Sequence, residues 1–211
     1  MKKSIFTKLT EDHGTRLVFI IDYFRMYNFR IYSNYITKII SIYRGVKIGK
    51  GCHFFGLPHF RRYPLSTIQI GKNCTIRSDH NSNLIGVNHK CIISTHLHGA
   101  KIIIGDNCGF SGTSIGAAIE IKIGNNVSIG ANGIITDFDW HSERINTQPQ
   151  PVIIHDNVWI GVNSTVLKGV TIGENSIIGA NSLVVKNIPA NVIAGGVPCK
   201  VLKQLVKKEV Y

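Results

Sequence analysis

From Val46 onward, aliphatic side chains recur at every sixth position. The clearest run sets Ile154, Ile160, Val166, Ile172, Ile178 and Val184 in one register without a slip. Shorter registered sets precede it: Ile48 with Phe54, Ile70 with Ile76, Ile104 with Phe110, and Ile123 with Ile129 and Ile135. Glycine usually follows the aliphatic residue, as at Gly49, Gly71, Gly105, Gly124, Gly130, Gly161, Gly173 and Gly179. An α-helix needs a 3.6 period and does not carry that many glycines, and an alternating strand shows a period of two. A period of six is that of a parallel β-helix. Each short strand forms one side of a triangular coil, and three hexads make a turn of roughly 18 residues.

The aliphatic residue of each hexad points into the core, and Gly or Asn takes the corner where positive φ is needed. Asn73, Asn107, Asn126, Asn163, Asn175 and Asn181 suit such corners. Four residues after each aliphatic lies a second, smaller inward position. It is filled by Cys52, Cys74, Cys108, Val127, Gly133, Val158, Ser164, Val170, Ser176 and Ser182. Three of the five cysteines are thereby read as small core residues rather than metal or redox groups.

Ahead of the hexads the period changes. Asp22, Arg25, Asn28, Ser33, Asn34, Thr37, Ser41 and Arg44 are spaced mostly by three to five residues and leave a broad apolar face, which predicts a helix. Asp22, Arg25, Arg30 and Lys38 interrupt the apolar stretch, so a membrane-spanning helix is not expected. Two readings remain: a helix packed on the coil, or a basic aromatic face resting on an anionic membrane. The stretch MKKSIFTKLTEDHGTR has no small-residue cleavage site and is not expected to be a removable secretory signal. At the other end, Lys200, Lys203, Lys207 and Lys208 suggest a short helix that covers the last coil. The expected division is an N-terminal helical segment over 1–45, a β-helix domain over 46–196 and a capping segment over 197–211.

The chain has 211 residues, enough for one substantial core. Its formal charge of +12 attracts polyanions, anionic membranes or phosphorylated small molecules without choosing among them. Five cysteines, odd in number and without close pairing, suit a reducing compartment, so a cytoplasmic location is expected.

Three strings carry a more specific resemblance: IGDNCGFSGTSI (Ile104 to Ile115), IGNNVSIGANGIITDFDWH (Ile123 to His141) and DNVWIGVNSTVLKGVTIGENSIIGANSLVVKNIPANVIAGGVPCKV (Asp156 to Val201). The chain resembles the hexapeptide-repeat acyltransferase superfamily, and within it the galactoside, maltose and polysaccharide O-acetyltransferases. That resemblance implies an all-β, left-handed parallel β-helix, an exception to the right-handed crossover rule. It also implies a homotrimer with acetyl-CoA in the clefts between subunits, no metal, no nucleic-acid partner, and a sugar or glycan precursor as acceptor. Acetylation of an amino sugar uses the same parts and is the runner-up. A serine acetyltransferase would carry a long N-terminal helical domain, and a hexapeptide carbonic anhydrase would need three metal-binding histidines.

By the same resemblance His141 is the general base, at the point where hexads give way to SERINTQPQP. Imidazole suits that task because its ordinary pKa lies near the operating pH. Asp137 and Asp139 flank the corner; either could orient the imidazole, bind acceptor hydroxyls, or cap a backbone turn. Trp159 matches the tryptophan at the pantetheine groove, and Gly161 and Ala180 match small positions whose backbone pairs with that arm. Lys186, Lys200 and Lys203 match basic positions near the nucleotide end of coenzyme A. His155 reads as a surface residue. The sequence departs from the galactoside enzymes at Phe110, Ser111 and Gly112, where they carry an acetyl-pocket asparagine, and at Val162 and Val185, which replace polar residues.

Overall fold

The computed structural model describes residues 16–141 and 147–205. Its strands form the three sides of a parallel β-helix, and the coil is left-handed. The first sheet stacks β1 (Lys47–Ile48), β4 (Thr67–Ile70), β7 (Lys101–Ile104), β10 (Glu120–Ile123), β13 (Val152–Ile154) and β16 (Thr171–Ile172). The second stacks β2 (His53–Phe55), β5 (Thr75–Arg77), β8 (Gly109–Ser111), β11 (Ser128–Ile129), β14 (Trp159–Ile160), β17 (Ile177–Ile178), β19 (Val192–Gly195) and β20 (Lys200–Gln204). The third stacks β3 (His59–Arg61), β6 (Ile92–Thr95), β9 (Ser114–Ala117), β12 (Ile134–Thr136), β15 (Thr165–Val166) and β18 (Leu183–Val184).

The registered sets of the sequence become vertical columns in the coil. Ile48 pairs with Ile70, Ile70 with Ile104, Ile104 with Ile123, Ile123 with Ile154, and Ile154 with Ile172. Nearly all of them are buried and contribute to one continuous apolar core; Ile48, at the open end, packs against it. Burying each such side chain stabilises by about 1.5–3 kcal/mol relative to leaving it exposed. The small inward positions are also buried, except Cys52, which is half-buried. The Cys52, Cys74 and Cys108 thiols donate to the carbonyls of Gly71, Gly105 and Gly124 on the next turn.

All six predicted corner asparagines have φ between 55° and 59°. Five side-chain hydrogen bonds link Asn73, Asn107, Asn126, Asn157, Asn175 and Asn191 into a ladder along one corner, at 3.4 to 2.9 Å. The asparagines therefore supply both the left-handed backbone conformation and the contact between turns.

Two intervals are far longer than a hexad, Ile76 to Ile93 and Ile135 to Ile154. The first excursion, residues 78–91, folds along the coil and is pinned to the corner residue Asn132. The Asn88 N–H donates to Asn132 Oδ1, and Asn132 Nδ2 donates to the Gly86 carbonyl, both at 2.9 Å. The second excursion follows β12 and carries His141.

The predicted N-terminal helix is α1 (Arg16–Arg44). It touches β1, β2 and β3, one strand from each sheet, and so crosses the open end of the coil. Strands at that end would otherwise leave backbone donors without partners. Asn34 Oδ1 accepts from the Phe54 N–H at 2.6 Å, and Ser33 Oγ accepts from the Gly56 N–H at 3.0 Å. At the other end the expected short helix is corrected: residues 200–204 form β20, antiparallel to β19. Lysines at Lys200 and Lys203 suit an edge strand, and its pairing covers the last sheet edge. Lys207 and Lys208 lie outside the described residues.

Candidate active site

The second sheet builds a surface groove. Trp159 projects outward from β14 with about half its surface exposed, and its Cα partner on the next turn is Ile177. Together with Gly161, Ala180, Asn83 and Ile85 they line a groove of about 420 Å³. The structure thus brings together Trp159, Gly161 and Ala180, which the sequence placed there. Asn83 and Ile85 come from the first excursion and had no sequence signal, because no periodicity links them to a strand three turns further along the coil. Gly161 is glycine for a reason of packing: an added Cβ would lie 2.5 Å from the Ala180 nitrogen on the next turn. Lys200 and Lys203 sit on β20, at the edge of the same sheet, and are exposed. Lys186 follows β18 of the third sheet, so it does not line this groove.

The third sheet leads to His141. After β12 the Asp137 carboxylate is fully buried and accepts from the N–H groups of Ala118, Ile119 and Glu120 at 2.6, 2.8 and 2.7 Å. Burial pushes this carboxyl up from its ordinary value, and the backbone donors pull against that shift. Asp137 therefore takes the turn-capping role. Asp139 is engaged by Lys168 Nζ and by the Thr147 hydroxyl. The Lys168 hydrogen bond, then that of Thr147, holds its carboxyl below the ordinary range. This clamp ties both sides of the excursion to the turn between β15 and β16.

Between these two aspartates and His141 lies an aromatic cluster. The Trp140 ring meets His96 edge-on at 4.7 Å and Phe138 at 4.8 Å. Gly116 lies beneath it, where an added Cβ would be 3.1 Å from Trp140 Cζ2. His96 Nε2 is 2.8 Å from Ser94 Oγ. Burial, and secondarily the Arg61 charge, push the His96 imidazole below its ordinary pKa, while Asp137 opposes that shift. His141 is exposed and directly follows Trp140 of this cluster in the chain. His96, Phe138, Trp140 and Lys168 had not been singled out from the sequence. His96 lies in STHLHG, outside any hexad, and only coil stacking brings it over the second excursion. Among the described residues, no three His, Cys, Asp or Glu side chains gather as a metal site.

Within one chain the groove and His141 occupy different sides of the coil. The second sheet offers a narrow apolar channel with cations at its edge, and the third leads to an exposed imidazole that follows a packed aromatic cluster in the chain.

The bacterial transferase hexapeptide family (six repeats) matches residues 151–186. The galactoside O-acetyltransferase of Escherichia coli is 42% identical over 115 residues, which cover 51% of this chain and 56% of that protein. The galactoside O-acetyltransferase of Lactococcus lactis is 34% identical over 143 residues, 65% of this chain and 63% of that protein. The chain thus spans less than two thirds of the length of these curated relatives. Among solved structures, a variant of AntD, an N-acyltransferase from Bacillus cereus crystallised with dTDP-4-amino-4,6-dideoxyglucose and coenzyme A, superposes with a TM-score of 0.60. It is 21% identical, with 81% of this chain and 89% of that chain covered, and so shares the fold. The resemblance to hexapeptide-repeat acyltransferases is borne out: the chain carries their repeats, their coil and sequence likeness to their galactoside O-acetyltransferases.

Proposed function

We propose that this chain is an acetyl-CoA-dependent O-acetyltransferase that acts, as a homotrimer, on a hydroxyl of a sugar or glycan precursor. The observation that carries this reading is the groove around Trp159, Gly161 and Ala180 on a coil similar to galactoside O-acetyltransferases. Its shape suits a thin pantetheine arm lying along Trp159. Lys200 and Lys203 at the sheet edge offset the phosphates of the nucleotide end, and Lys186 does so from the neighbouring subunit. Side-by-side association of three parallel coils faces the third sheet of one subunit toward the groove of the next. His141 of one subunit then meets the thioester held by its neighbour.

In this mechanism the neutral His141 imidazole takes the proton of the acceptor hydroxyl as its oxygen attacks the thioester carbonyl. The tetrahedral intermediate collapses, the carbon–sulfur bond breaks, and the imidazolium returns its proton to the departing thiolate. Asp137 fixes the turn that launches the excursion, and Asp139 holds the excursion through Lys168. Trp140 offers a flat wall beside the base on which a sugar ring can rest. The reaction belongs in the cytoplasm, with α1 in contact with the inner face of the membrane.

Release of coenzyme A from acetyl-CoA, measured across neutral and amino sugars, tests the reaction. Transfer to hydroxyls supports it; transfer confined to amines replaces it with N-acetylation. Light scattering should give three times 23.3 kDa, and a fully active monomer would overturn the shared cleft.

A further inference from the structure

The polarity of α1 is reversed from that of an ordinary surface helix. Its fully buried residues are small and polar, with Ser33, Thr37 and Ser41 at 0%, 0% and 4% exposure, while Ile40 is half-buried against the core. Its outward side carries Ile31, Tyr32, Tyr35, Ile39, Ile42 and Tyr43, which are 49% to 85% exposed. A helix serving only as a lid would turn such residues toward the core. Hydrogen bonds from the coil's end fix the opposite choice, since Ser33 and Asn34 must face Gly56 and Phe54. These six large side chains are thereby directed away from the fold.

Position and charge together indicate what meets them. Because α1 touches all three strands of the first turn, it closes that end of the coil, and its exposed aromatic side is turned away from those strands. The helix carries Arg25, Arg30, Lys38 and Arg44 against Asp22 as its one acid. Arg30 lies 5.2 Å from the Tyr27 ring and Arg44 lies 5.7 Å from the Tyr43 ring, so both cations border the aromatic face. Lys38 and Lys50 line a hollow of about 380 Å³ between helix and coil, beside Ile42 and Phe54. Cations set around aromatic and aliphatic groups match the boundary between anionic headgroups and acyl chains. Among the described residues no helix is long and apolar enough to cross a membrane.

We infer that the three α1 helices of a trimer seat it end-on upon an anionic lipid bilayer, with the coil axes along the membrane normal. This rests on the trimer proposed above. Three copies on one plane multiply a weak single contact. With turns stacked about 4.8 Å apart, the turn carrying β12 and His141 stands about 15 Å beyond the lid's own turn. An acceptor glycan anchored to lipid through its reducing end would present its outer sugars at that height.

Flotation of the full chain with phosphatidylcholine vesicles, with and without phosphatidylglycerol, tests the seat. Binding should require phosphatidylglycerol and fall as salt rises. Tyr35→Glu with Ile42→Glu should weaken it roughly tenfold or more while melting temperature and trimer mass stay as in the parent. Brominated lipid should quench an Ile42→Trp variant well beyond the parent, whose Trp140 and Trp159 stand away from the surface. Absence of binding at low salt, or equal binding by the double variant, overturns the seat. So does a doubled trimer mass that the same variant abolishes, since a second trimer would then cover the face. Transfer to a water-soluble sugar is followed in parallel. Intact transfer without vesicle binding sinks the seat and spares the reaction, whereas binding without transfer supports the seat and sinks the reaction.

Discussion

The coil from β13 to β18 and the coil before it use the same hexads differently. The later part runs without a slip from Ile154 to Val184, and its surface is a regular stack whose outward residues form a groove. The earlier part is broken by two excursions, and these supply Asn83, Ile85, Phe138, Trp140 and His141. Regular repetition can make an extended channel but places equivalent side chains on every turn. A reacting group needs one side chain in one place, so it comes from where repetition fails. The regular part is thus expected to answer for stability and donor binding, and the irregular part for turnover.

The sharpest way to break this division is His141→Ala, which should lower turnover by roughly two to four powers of ten with melting temperature unchanged. Loss of stability instead of turnover would make His141 a structural residue. Next in size, Ile172→Ala in the regular coil should cost about 2–5 kcal/mol of stability, read by denaturant unfolding. Leu84→Ser, at a position 95% exposed in the first excursion, should stay within about 0.5 kcal/mol. Equal costs at the two sites would erase the contrast.

Lys200→Glu with Lys203→Glu should raise the KM for acetyl-CoA about tenfold while kcat at saturation holds, because contacts remote from the thioester supply uniform binding. A fall in kcat alone would place these lysines elsewhere. Under the lid helix, Thr37 Oγ1 is a buried side-chain oxygen without a hydrogen-bond partner. Thr37→Val should therefore stabilise by about 1 kcal/mol, and a destabilised variant would reveal a partner for the hydroxyl. The smallest effect concerns His96, whose imidazole is held below its ordinary value chiefly by burial. The unfolded chain binds this proton more readily than the fold does. Stability from this group is therefore complete above about pH 6.5 and declines as pH falls from there through the lowered value. His96→Gln should flatten that part of the melting curve against pH, and an unchanged slope would assign it to other groups.

The hexad register could be read from the sequence because each core column depends on one residue in six, whatever the rest of the chain does. The corner asparagines were legible for a similar reason: positive φ is a local demand that few residue types meet. The grouping of Trp159, Gly161 and Ala180 in one groove was legible through the resemblance that strings in that regular part carry. His141 was visible only as the place where the pattern ends, and its role rests on resemblance. The C-terminal strand differs from the helix expected there because five residues carry too little periodicity to choose, and only the free edge of β19 decides their form.

What the sequence by itself determined is therefore the local and the periodic: the coil, its corners, its small inward positions and the helix ahead of it. The tertiary structure alone decided which excursion reaches which turn. It placed His96 against Trp140, committed Asp137 to the backbone and Asp139 to Lys168, and brought Ile85 to the groove. It also decided that α1 faces the coil with Ser33 and Thr37, leaving its aromatic side outward. The physical reason is the same in each case. A repeat fixes backbone geometry through short-range constraints, whereas these contacts join residues far apart in the chain, and their partners are set only when the turns stack.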